Sequence, residues 1–522
     1  MKEERQYHLL RLVKNLKYRL VWQGILIGVA AGLVVSLYRF LLSYAESFAI
    51  HLYTMVRNNL WAVGLLFVGL ALVGVLVGFL TKWQPMIKGS GIPQVEGQIL
   101  GFFQISWWKV IIGKIVGGFL ALAAGLSLGR EGPSIQLGAA AGEGISKSLK
   151  RDETEKRYLL TCGASAGLAA AFNAPLAGMM FALEEVHKNF SVSVLLSTMA
   201  SAVTADMVSK LFFGMDSVFG GHSMARLPLE YYLILPILGI LLGACGWLYN
   251  EVLLFSQRAY RKIPFLKGPY VMIVPFLAAG IAGLFLPEIL GGGHKIITAL
   301  LDFRFAISYV ALLLVCKFVF SMVSFGSGAP GGIFFPLLVL GALVGALFGQ
   351  IAITYFGLES SYYVNFLLLG MVGMFTGIVR APVTGIILIV EMSGSFTQML
   401  DLAVVAVCAY LMADLLGSKP VYESLLENMR PHKVDEPELL SDREKVLLNF
   451  VVETGCRAER KAIRELSWPK GCLVVSIVRG GEEMIPNGES MLQTGDYVMV
   501  MCPKEREVKY REKLSPRFNK HR

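Results

Sequence analysis

The chain has 522 residues, of which 55% are hydrophobic and 16% charged, and its mean hydropathy is +0.59. Soluble domains carry about 25% charged residues, so this composition excludes an ordinary soluble protein and predicts a polytopic membrane protein. The net charge of +10 needs no nucleic-acid partner, because a basic cytoplasmic face that meets anionic membrane lipid accounts for it. The seven cysteines and seven histidines are scattered without paired spacing, which predicts no disulfide framework, no metal site and no cofactor.

The predicted elements begin with a basic segment. Residues 1–20 carry six basic and two acidic side chains and predict an amphipathic helix at the membrane surface. The apolar run that follows is too long for the hydrophobic region of a cleavable signal peptide. Because basic residues favour the cytoplasmic side, we expect both termini in the cytoplasm and the chain in a plasma or inner membrane.

Two long apolar helices are predicted next, over residues 21–53 and 60–83, and each is long enough to cross a bilayer core of about 30 Å. The loop Gly89-Ser90-Gly91-Ile92-Pro93 follows them. Its glycines, and its proline at a helix start, favour a helix end that faces an anion, with the Ser90 hydroxyl as an extra donor. An ordinary loop between helices is the alternative.

The motif Gly129-Arg130-Glu131-Gly132-Pro133 lies between two membrane-compatible segments. Ionisable residues in such a place are expensive, so they indicate a functional site. Pro133 suits the first turn of a helix, and the glycines leave backbone N–H groups uncovered beside it. The motif predicts a helix N-terminus that faces an anion at membrane depth, with Glu131 as an anion of its own. A helix-breaking surface loop with a solvated Arg-Glu pair is the alternative.

The apolar segments between residues 107 and 213 are short, and several cannot span a bilayer upright. Interrupted helices buried within protein are typical of transporters. The segments are predicted at residues 107–128, 135–146, 156–172, 175–186 and 192–213.

An internal repeat divides this region into halves at about residues 20–213 and 230–417. With a shift of 203 residues, the motif at 129–133 aligns with Gly332-Ile333-Phe334-Phe335-Pro336. With a shift of 207 residues, Ala174-Pro175 aligns with Ala381-Pro382, and Glu184 aligns with Glu391. The residues do not give the relative orientation of the halves, although inverted repeats around a midplane site are the common arrangement.

The C-terminal part differs in composition. A short helix is predicted at 419–429, a polar linker at 430–438, and a small α/β domain at 439–522. In that domain we predict strands at 472–478 and 497–501 and a hairpin-like segment at 479–488, and residues 442–452 fit either a helix or a strand.

Four ordered motifs resemble the CLC family of chloride channels and transporters: the loop at 89–93, the motifs at 129–133 and 332–336, and Tyr422. The resemblance covers about residues 20–428. It implies a transmembrane domain over residues 21–429, with a CLC-type fold of two inverted halves built from broken helices. The tail at 439–522 resembles the TrkA-C domain, also called the RCK C-terminal domain.

The resemblance implies a central chloride site. The hydroxyls of Ser90 and Tyr422 and the amides of Ile333 and Phe334 would bind the chloride ion. Glu131 would be the external gate, whose carboxylate occupies an anion site when charged and leaves when protonated or displaced. In this way the family's roles fall on the anion-facing motifs.

The resemblance also implies an outer site and a proton relay. Amides around Arg130, Gly132 and Phe335 would form the outer site, and Phe335 is a departure, since family members often have a small residue there. Glu185 matches the inner proton-relay glutamate of the exchangers, whereas Glu184 is the better candidate for a structural role. A carboxylate pair at a helix end on the surface is the alternative for both. A homodimer with one pore per subunit is implied.

Several functions remain to be separated. Within the family that the chain resembles, Glu131 together with Glu185 implies Cl⁻/H⁺ exchange rather than a passive gated chloride channel, and Ser90 implies chloride, where a proline would imply nitrate. A protein of potassium transport, suggested by the tail, is remote because the chain has no Gly-Tyr-Gly filter. A hydrolytic enzyme is also remote, because the histidines are dispersed without a catalytic-triad setting, so we predict that the protein is not an enzyme.

The tail offers a possible ligand site. Arg479, Gly480, Gly481 and the turn that contains Asn487 form a predicted anion-facing surface. If two tails pair across a dimer, a ligand with two phosphates, such as a cyclic dinucleotide, suits a two-fold cleft because each half offers the same donors. A module for dimerisation or stability is the alternative.

Overall fold

The chain forms two compact units, Met1–Arg430 and Pro431–Arg522, in a computed structural model. The structure describes residues 2–188, 190–219, 225–263, 268–301, 305–429, 445–469, 471–479, 482–503 and 507–518. Each unit has its own hydrophobic core.

The first half of the larger unit combines long helices with short ones that stop inside the protein. Proline begins the seven-residue helix α7, and Ile92 and Pro93 begin the eight-residue helix α3. The helices are α1 (Lys2–Val56), α2 (Leu60–Trp83), α3 (Ile92–Ile99), α4 (Trp107–Ala123), α5 (Glu131–Ser148), α6 (Glu153–Phe172), α7 (Pro175–Phe181) and α8 (Val192–Phe213).

The second half repeats this order, and a short helix, α17, follows it. Across both halves, eight stretches of the described residues are long and apolar enough to cross a membrane. The helices are α9 (Ile234–Lys262), α10 (Ile273–Phe285), α11 (His294–Leu301), α12 (Ile307–Gly326), α13 (Phe334–Phe356), α14 (Tyr363–Val379), α15 (Pro382–Ser393), α16 (Met399–Leu415) and α17 (Val421–Met429).

An approximate two-fold axis relates the halves. Gly129 and Gly332 form an antiparallel bridge, in which the N–H of Gly129 donates to the Gly332 carbonyl at 2.7 Å and the reverse bond measures 2.8 Å. The start of α5 therefore meets the start of α13. Because equivalent segments run antiparallel, the halves have opposite orientations, and the predicted inverted repeat is confirmed.

Glycines allow the helices beside this axis to pack closely. A Cβ on Gly138 of α5 would lie 2.1 Å from the Gly163 carbonyl oxygen of α6. In the second half, a Cβ on Gly341 would lie 2.4 Å from the Gly370 carbonyl oxygen. No side chain fits at these distances, so both helix pairs approach at backbone contact.

The N-terminal segment differs from the predicted separate helix at residues 1–20. Helix α1 runs without a break from Lys2 to Val56, and Lys17–Val56 is the apolar stretch. The prediction of a break near residue 20 is wrong, because no glycine or proline interrupts residues 2–23 and the backbone hydrogen bonds continue across the change in composition. At the other end of the unit, α17 begins at Val421 rather than at 419.

The smaller unit contains a four-stranded antiparallel sheet in the order β1-β4-β2-β3. The segment predicted as helix or strand is a strand, and the predicted hairpin pairs Arg479 with Glu482. The Phe518 ring of the last helix stacks on Phe450 of the sheet, 4.9 Å between centroids. The elements are β1 (Lys445–Val451), β2 (Leu473–Arg479), β3 (Glu482–Met484), β4 (Tyr497–Pro503) and α18 (Glu507–Phe518). The predicted linker at 430–438 lies outside the described residues.

Candidate functional site

The loop at residues 89–93 carries Ser90 into the interior. Gly89 and Gly91 have φ angles of 61° and 97°, which glycine adopts far more readily than other residues. The Ser90 side chain is buried at the start of α3, 2% exposed. A Cβ on Gly132 would lie 2.6 Å from the Ser90 hydroxyl oxygen, so the first turn of α5 touches this loop. The structure therefore brings together Ser90 and Gly132.

Two buried lysines, which the sequence motifs did not indicate, hold the loops on both sides of the axis. Lys114 Nζ donates to the carbonyls of Ile87 and Gly89 at 2.9 and 2.7 Å. Lys317, which corresponds to Lys114 at the shift of 203 residues, donates to the carbonyls of Ile289 and Gly291 at 2.8 Å each. A lysine at the same place in two repeated apolar runs is the signal that would have found them.

Glu131 begins α5, and its side chain is fully buried. Arg130 Nε lies 3.7 Å from Glu131 Oε1. Neither carboxylate oxygen accepts a hydrogen bond from another residue within the described ranges. A buried carboxylate without donors is costly when charged, so the position suits a group that gains a proton or moves.

Helix α13 and Tyr422 of α17 meet around an aromatic cluster. The Phe181 ring lies 5.8 Å from the Phe334 ring and 6.4 Å from the Tyr422 ring, measured between centroids. Tyr422 is fully buried, and its hydroxyl has no hydrogen-bond partner in the part of the chain that the structure describes. The N–H groups of the first turn of α13, near Ile333, Phe334 and Phe335, have no acceptor within their own helix. An O–H donor and such N–H groups are what a desolvated anion requires.

Two cavities approach this centre through loops that the two-fold axis relates. One has a volume of about 410 Å³ and is lined by Ser90, Lys88 and Arg261 among others. The other has a volume of about 280 Å³ and is lined by Arg130 and His294 among others. The centre between Ser90 and Arg130 is thus approached by a solvent cavity on each side.

Glu185 lies in a π-helical turn, Ala182–His187, that continues α7. Such turns often occur at functional sites. The Glu185 side chain is 4% exposed, and its Oε1 has no hydrogen-bond partner among the residues described. Nearby, Lys188 Nζ pairs with Glu96 Oε1 at 2.7 Å. Glu185 is therefore a buried carboxylate beside an ion pair whose lysine side chain is 42% exposed.

Glu184 has a structural role. Its Oε2 accepts hydrogen bonds from the N–H and the hydroxyl of Thr384 at 2.8 and 2.7 Å, at the start of α15. Its repeat mate Glu391 accepts from the N–H groups of Leu176 and Ala177 at 3.0 and 2.8 Å, at the start of α7. Each carboxylate caps the other half's helix, so these two residues stabilise the junction of the halves.

In the tail, Arg479 and Asn487 are the two residues of the predicted ligand surface that the structure describes, and both are engaged in hydrogen bonds. Arg479 donates to both carboxylate oxygens of Asp496 at 2.8 Å each, which raises the pKa of Arg479. Burial opposes ionisation of Asp496, but the hydrogen bonds from Arg479 and the Gln493 N–H outweigh it and lower the pKa of Asp496. Asn487 Oδ1 accepts from the N–H of Glu489 at 3.0 Å within a turn. Gly480 and Gly481 lie outside the described residues.

Inverted halves, broken helices that begin at one buried centre, and ionisable groups at that centre define a multi-pass membrane protein of the transporter class. The chain belongs to the voltage-gated chloride channel family, whose family model matches residues 71–414. The model of the TrkA-C domain matches residues 447–515.

Relatives and solved structures agree with this membership. The H(+)/Cl(-) exchange transporter ClcA of Vibrio cholerae is 34% identical over 441 residues, which cover 81% of this chain and 92% of the relative. ClcA of Klebsiella pneumoniae is 32% identical over 418 residues, covering 78% and 88%. A slow cyanobacterial Cl⁻/H⁺ antiporter superposes with a TM-score of 0.75 at 29% identity, over 78% of this chain and 97% of that one. A CLC-type fluoride/proton antiporter shares the fold, with a TM-score of 0.67 at 23% identity, over 76% and 96%.

Proposed function

We propose that the protein exchanges chloride for protons across the membrane, with Glu131 as the external gate. The observation that carries the proposal is the fully buried Glu131 carboxylate, which begins α5 beside the start of α13 and accepts no hydrogen bond from another described residue. Helix starts favour anions, so the charged carboxylate and a chloride ion compete for the same N–H groups. The two ClcA relatives carry the name of H(+)/Cl(-) exchange transporters.

In this proposal chloride passes through two positions. At the central position the hydroxyls of Ser90 and Tyr422 and the amides of Ile333 and Phe334 bind it. At the outer position, near Arg130, the amides around Gly132 and Phe335 replace them after Glu131 has left. The cavity beside Ser90 is then the inner mouth, and the cavity beside Arg130 is the outer mouth.

Exchange, rather than passive conduction, requires that a proton reach Glu131 apart from the anion. We assign its entry to Glu185, because this second buried carboxylate does not line the cavity beside Ser90 and lies next to the Lys188–Glu96 ion pair. The chloride route then leaves through the cavity beside Ser90, so the two ions need not meet before the centre. Proton-coupled flux from proteoliposomes tests this assignment.

Loss of a hydroxyl at the central site should weaken chloride binding. Hydrogen bonds to charged groups are worth about 1.5–3 kcal/mol, so Ser90→Ala or Tyr422→Phe should weaken chloride binding roughly ten- to a hundredfold. Isothermal titration calorimetry of the purified protein measures this change. The control is Ser321→Ala, because Ser321 is equally buried but pairs with the Ser127 hydroxyl at 2.9 Å. If chloride affinity is unchanged in both site variants, chloride does not bind at Ser90 and Tyr422.

We further propose a homodimer with one pore per subunit, in a plasma or inner membrane, with both termini in the cytoplasm. Many large apolar side chains of α2, α9 and α16 are exposed on the single chain, which suits cover by lipid or by a second copy. Light scattering of the detergent-solubilised protein tests the dimer. Protease access to the tail in inside-out vesicles tests its side of the membrane.

For the tail we propose regulation by a small nucleotide with two phosphates, such as a cyclic dinucleotide. Arg479 already pairs with Asp496, so a phosphate that binds it must compete with that carboxylate. A ligand regulates transport only if it binds the transporting and resting states differently.

Full-length protein is expected to bind at least one member of a cyclic-dinucleotide panel and to change its chloride flux on binding. Arg479→Ala should abolish both effects, whereas Arg517→Ala on α18, whose side chain donates to the Ser467 carbonyl, should not. Calorimetry and flux assays measure the two effects. If no nucleotide binds and deletion of the tail leaves flux unaltered, the tail is a module for dimerisation or stability.

A further inference from the structure

The two-fold axis relates one set of positions whose residues differ in size. Ser90 corresponds to Gly292 at a shift of 202 residues, and Gly132 corresponds to Phe335 at a shift of 203. In the first half the loop residue, Ser90, has a side chain, and the residue at the helix start, Gly132, has none. On the other side the loop is bare, and a Cβ on Gly292 would lie 3.7 Å from Cδ1 of Phe335. The Phe335 ring therefore occupies a position at which its counterpart in the first half, Gly132, has no side chain.

His294 covers this ring. The rings of His294 and Phe335 are nearly parallel, with an angle of 9° and 3.7 Å between centroids, and Phe335 is fully buried. Phe172 also packs against Phe335, 6.3 Å between centroids. On its edge, His294 Nε2 lies 3.4 Å from Arg130 Nη2. Because a guanidinium only donates hydrogen bonds, this nitrogen accepts, so His294 is held by both its ring and its edge.

The two cavities differ in whether they reach the residues of the buried centre. The 410 Å³ cavity is lined by Ser90 itself. Among the described residues, the 280 Å³ cavity is lined by Arg130 and His294 and not by Glu131 or Phe335. His294 lines this cavity and its ring stacks on Phe335, and a Cβ on Gly129 would lie 2.5 Å from Glu131 Oε2 and 3.2 Å from the Phe335 nitrogen, so the stack connects the cavity wall to the surroundings of the buried carboxylate. Two rings 3.7 Å apart leave no room for an ion between them.

We propose that the stacked rings of His294 and Phe335 seal the cavity beside Arg130 from Glu131, and that separation of the rings limits passage through this mouth. This inference rests on the proposed role of Glu131 as the gate on that side. Both residues are positioning residues: they close the path, and Glu131 responds to the proton. The contact between Arg130 and His294 connects the stacked rings to the residue that precedes Glu131.

Access to position 131 tests the seal without relying on transport. In a Glu131→Cys background, an anionic methanethiosulfonate reagent is added to the side of the 280 Å³ cavity, and modification at position 131 is timed by mass spectrometry. Phe335→Ala and His294→Ala should each speed modification roughly two- to tenfold, the change expected when one aromatic stack is lost. His294→Phe, which keeps the stack, should restore the slow rate.

The matched control is Phe348→Ala on α13, the helix that also carries Phe335; this change removes a ring contact with Phe366 of α14, 5.7 Å between centroids. It should leave the modification rate unchanged. Equal rates with and without the His294–Phe335 stack would overturn the proposal, as would equal acceleration by Phe348→Ala. Failure of Glu131 as the gate would appear separately, as proton coupling that survives Glu131→Gln.

Discussion

Replacement of Glu131 by glutamine should leave chloride moving and stop proton movement. Glutamine has nearly the same shape as the protonated side chain, but it has no charge with which to compete for the N–H groups at the starts of α5 and α13. It also has no proton to exchange. The variant should therefore behave as a protein held in its open, protonated state, with chloride flux down its gradient and uphill proton transport reduced to background.

Proteoliposomes loaded with chloride measure both ions at once, with a chloride electrode and a pH electrode in the same bath. The matched control is Glu143→Gln on the same helix, because Glu143 is also buried but is paired with Lys147 at 2.7 Å and with Gln98 Nε2 at 2.8 Å. That variant should remain coupled. If Glu131→Gln still drives protons uphill, Glu131 is not the gate.

Much of the fold could be predicted, because prolines and glycines in the two repeated halves mark helix starts and close helix contacts. Pro133, Pro175 and Pro382 lie in the first turns of α5, α7 and α15, as expected of residues that cannot donate inside a helix. Gly138 and Gly163 lie at a backbone contact between α5 and α6. These features are local in sequence, and so they are visible without coordinates.

The loop of the second half that corresponds to residues 89–93 could not be predicted from the sequence, for a physical reason. Residues 291–293 share the backbone conformation of 89–91, with φ of 61° at Gly291 and 97° at Gly293. They share only the glycines with it, because Ser90 and Ile92 are replaced by Gly292 and His294. Backbone shape is shared by the halves while side chains differ, so residue spacing does not indicate that His294 begins α11 and stacks on Phe335.

Hydrogen bonds and ion pairs between residues far apart in the chain also could not be predicted from residue patterns. Lys114 and Lys317 stand inside apolar runs, where a lysine looks like an interruption until its carbonyl acceptors are known. Arg479 belongs to the predicted anion-facing surface of the tail, yet only the folded sheet shows that Asp496 neutralises it. In both cases the partner lies too far along the chain for spacing to indicate it.

Replacement of Glu185 by glutamine should remove proton transport and leave passive chloride flux. A proton that reaches Glu131 by a route separate from chloride must first be loaded from the inner side, and a neutral amide at 185 cannot carry it. The Lys188–Glu96 pair should remain in place, since Lys188 Nζ contacts Glu96 Oε1 directly at 2.7 Å. The substitution leaves the side chains of the proposed chloride site, Ser90 and Tyr422, in place, so chloride affinity by calorimetry should match that of the unaltered protein.

The neighbouring carboxylate supplies the sharpest control for this prediction. Glu184→Gln and Glu391→Gln each weaken a cap on the opposite half, because an amide is a poorer acceptor than a carboxylate for the N–H groups at the starts of α15 and α7. Both should lower the unfolding temperature of the purified protein while keeping chloride and proton fluxes coupled. Glu185→Gln should show the reverse pattern: little change in unfolding temperature and no uphill proton transport. Full exchange in Glu185→Gln, measured in the same proteoliposomes, would mean that a different inner acid loads the proton.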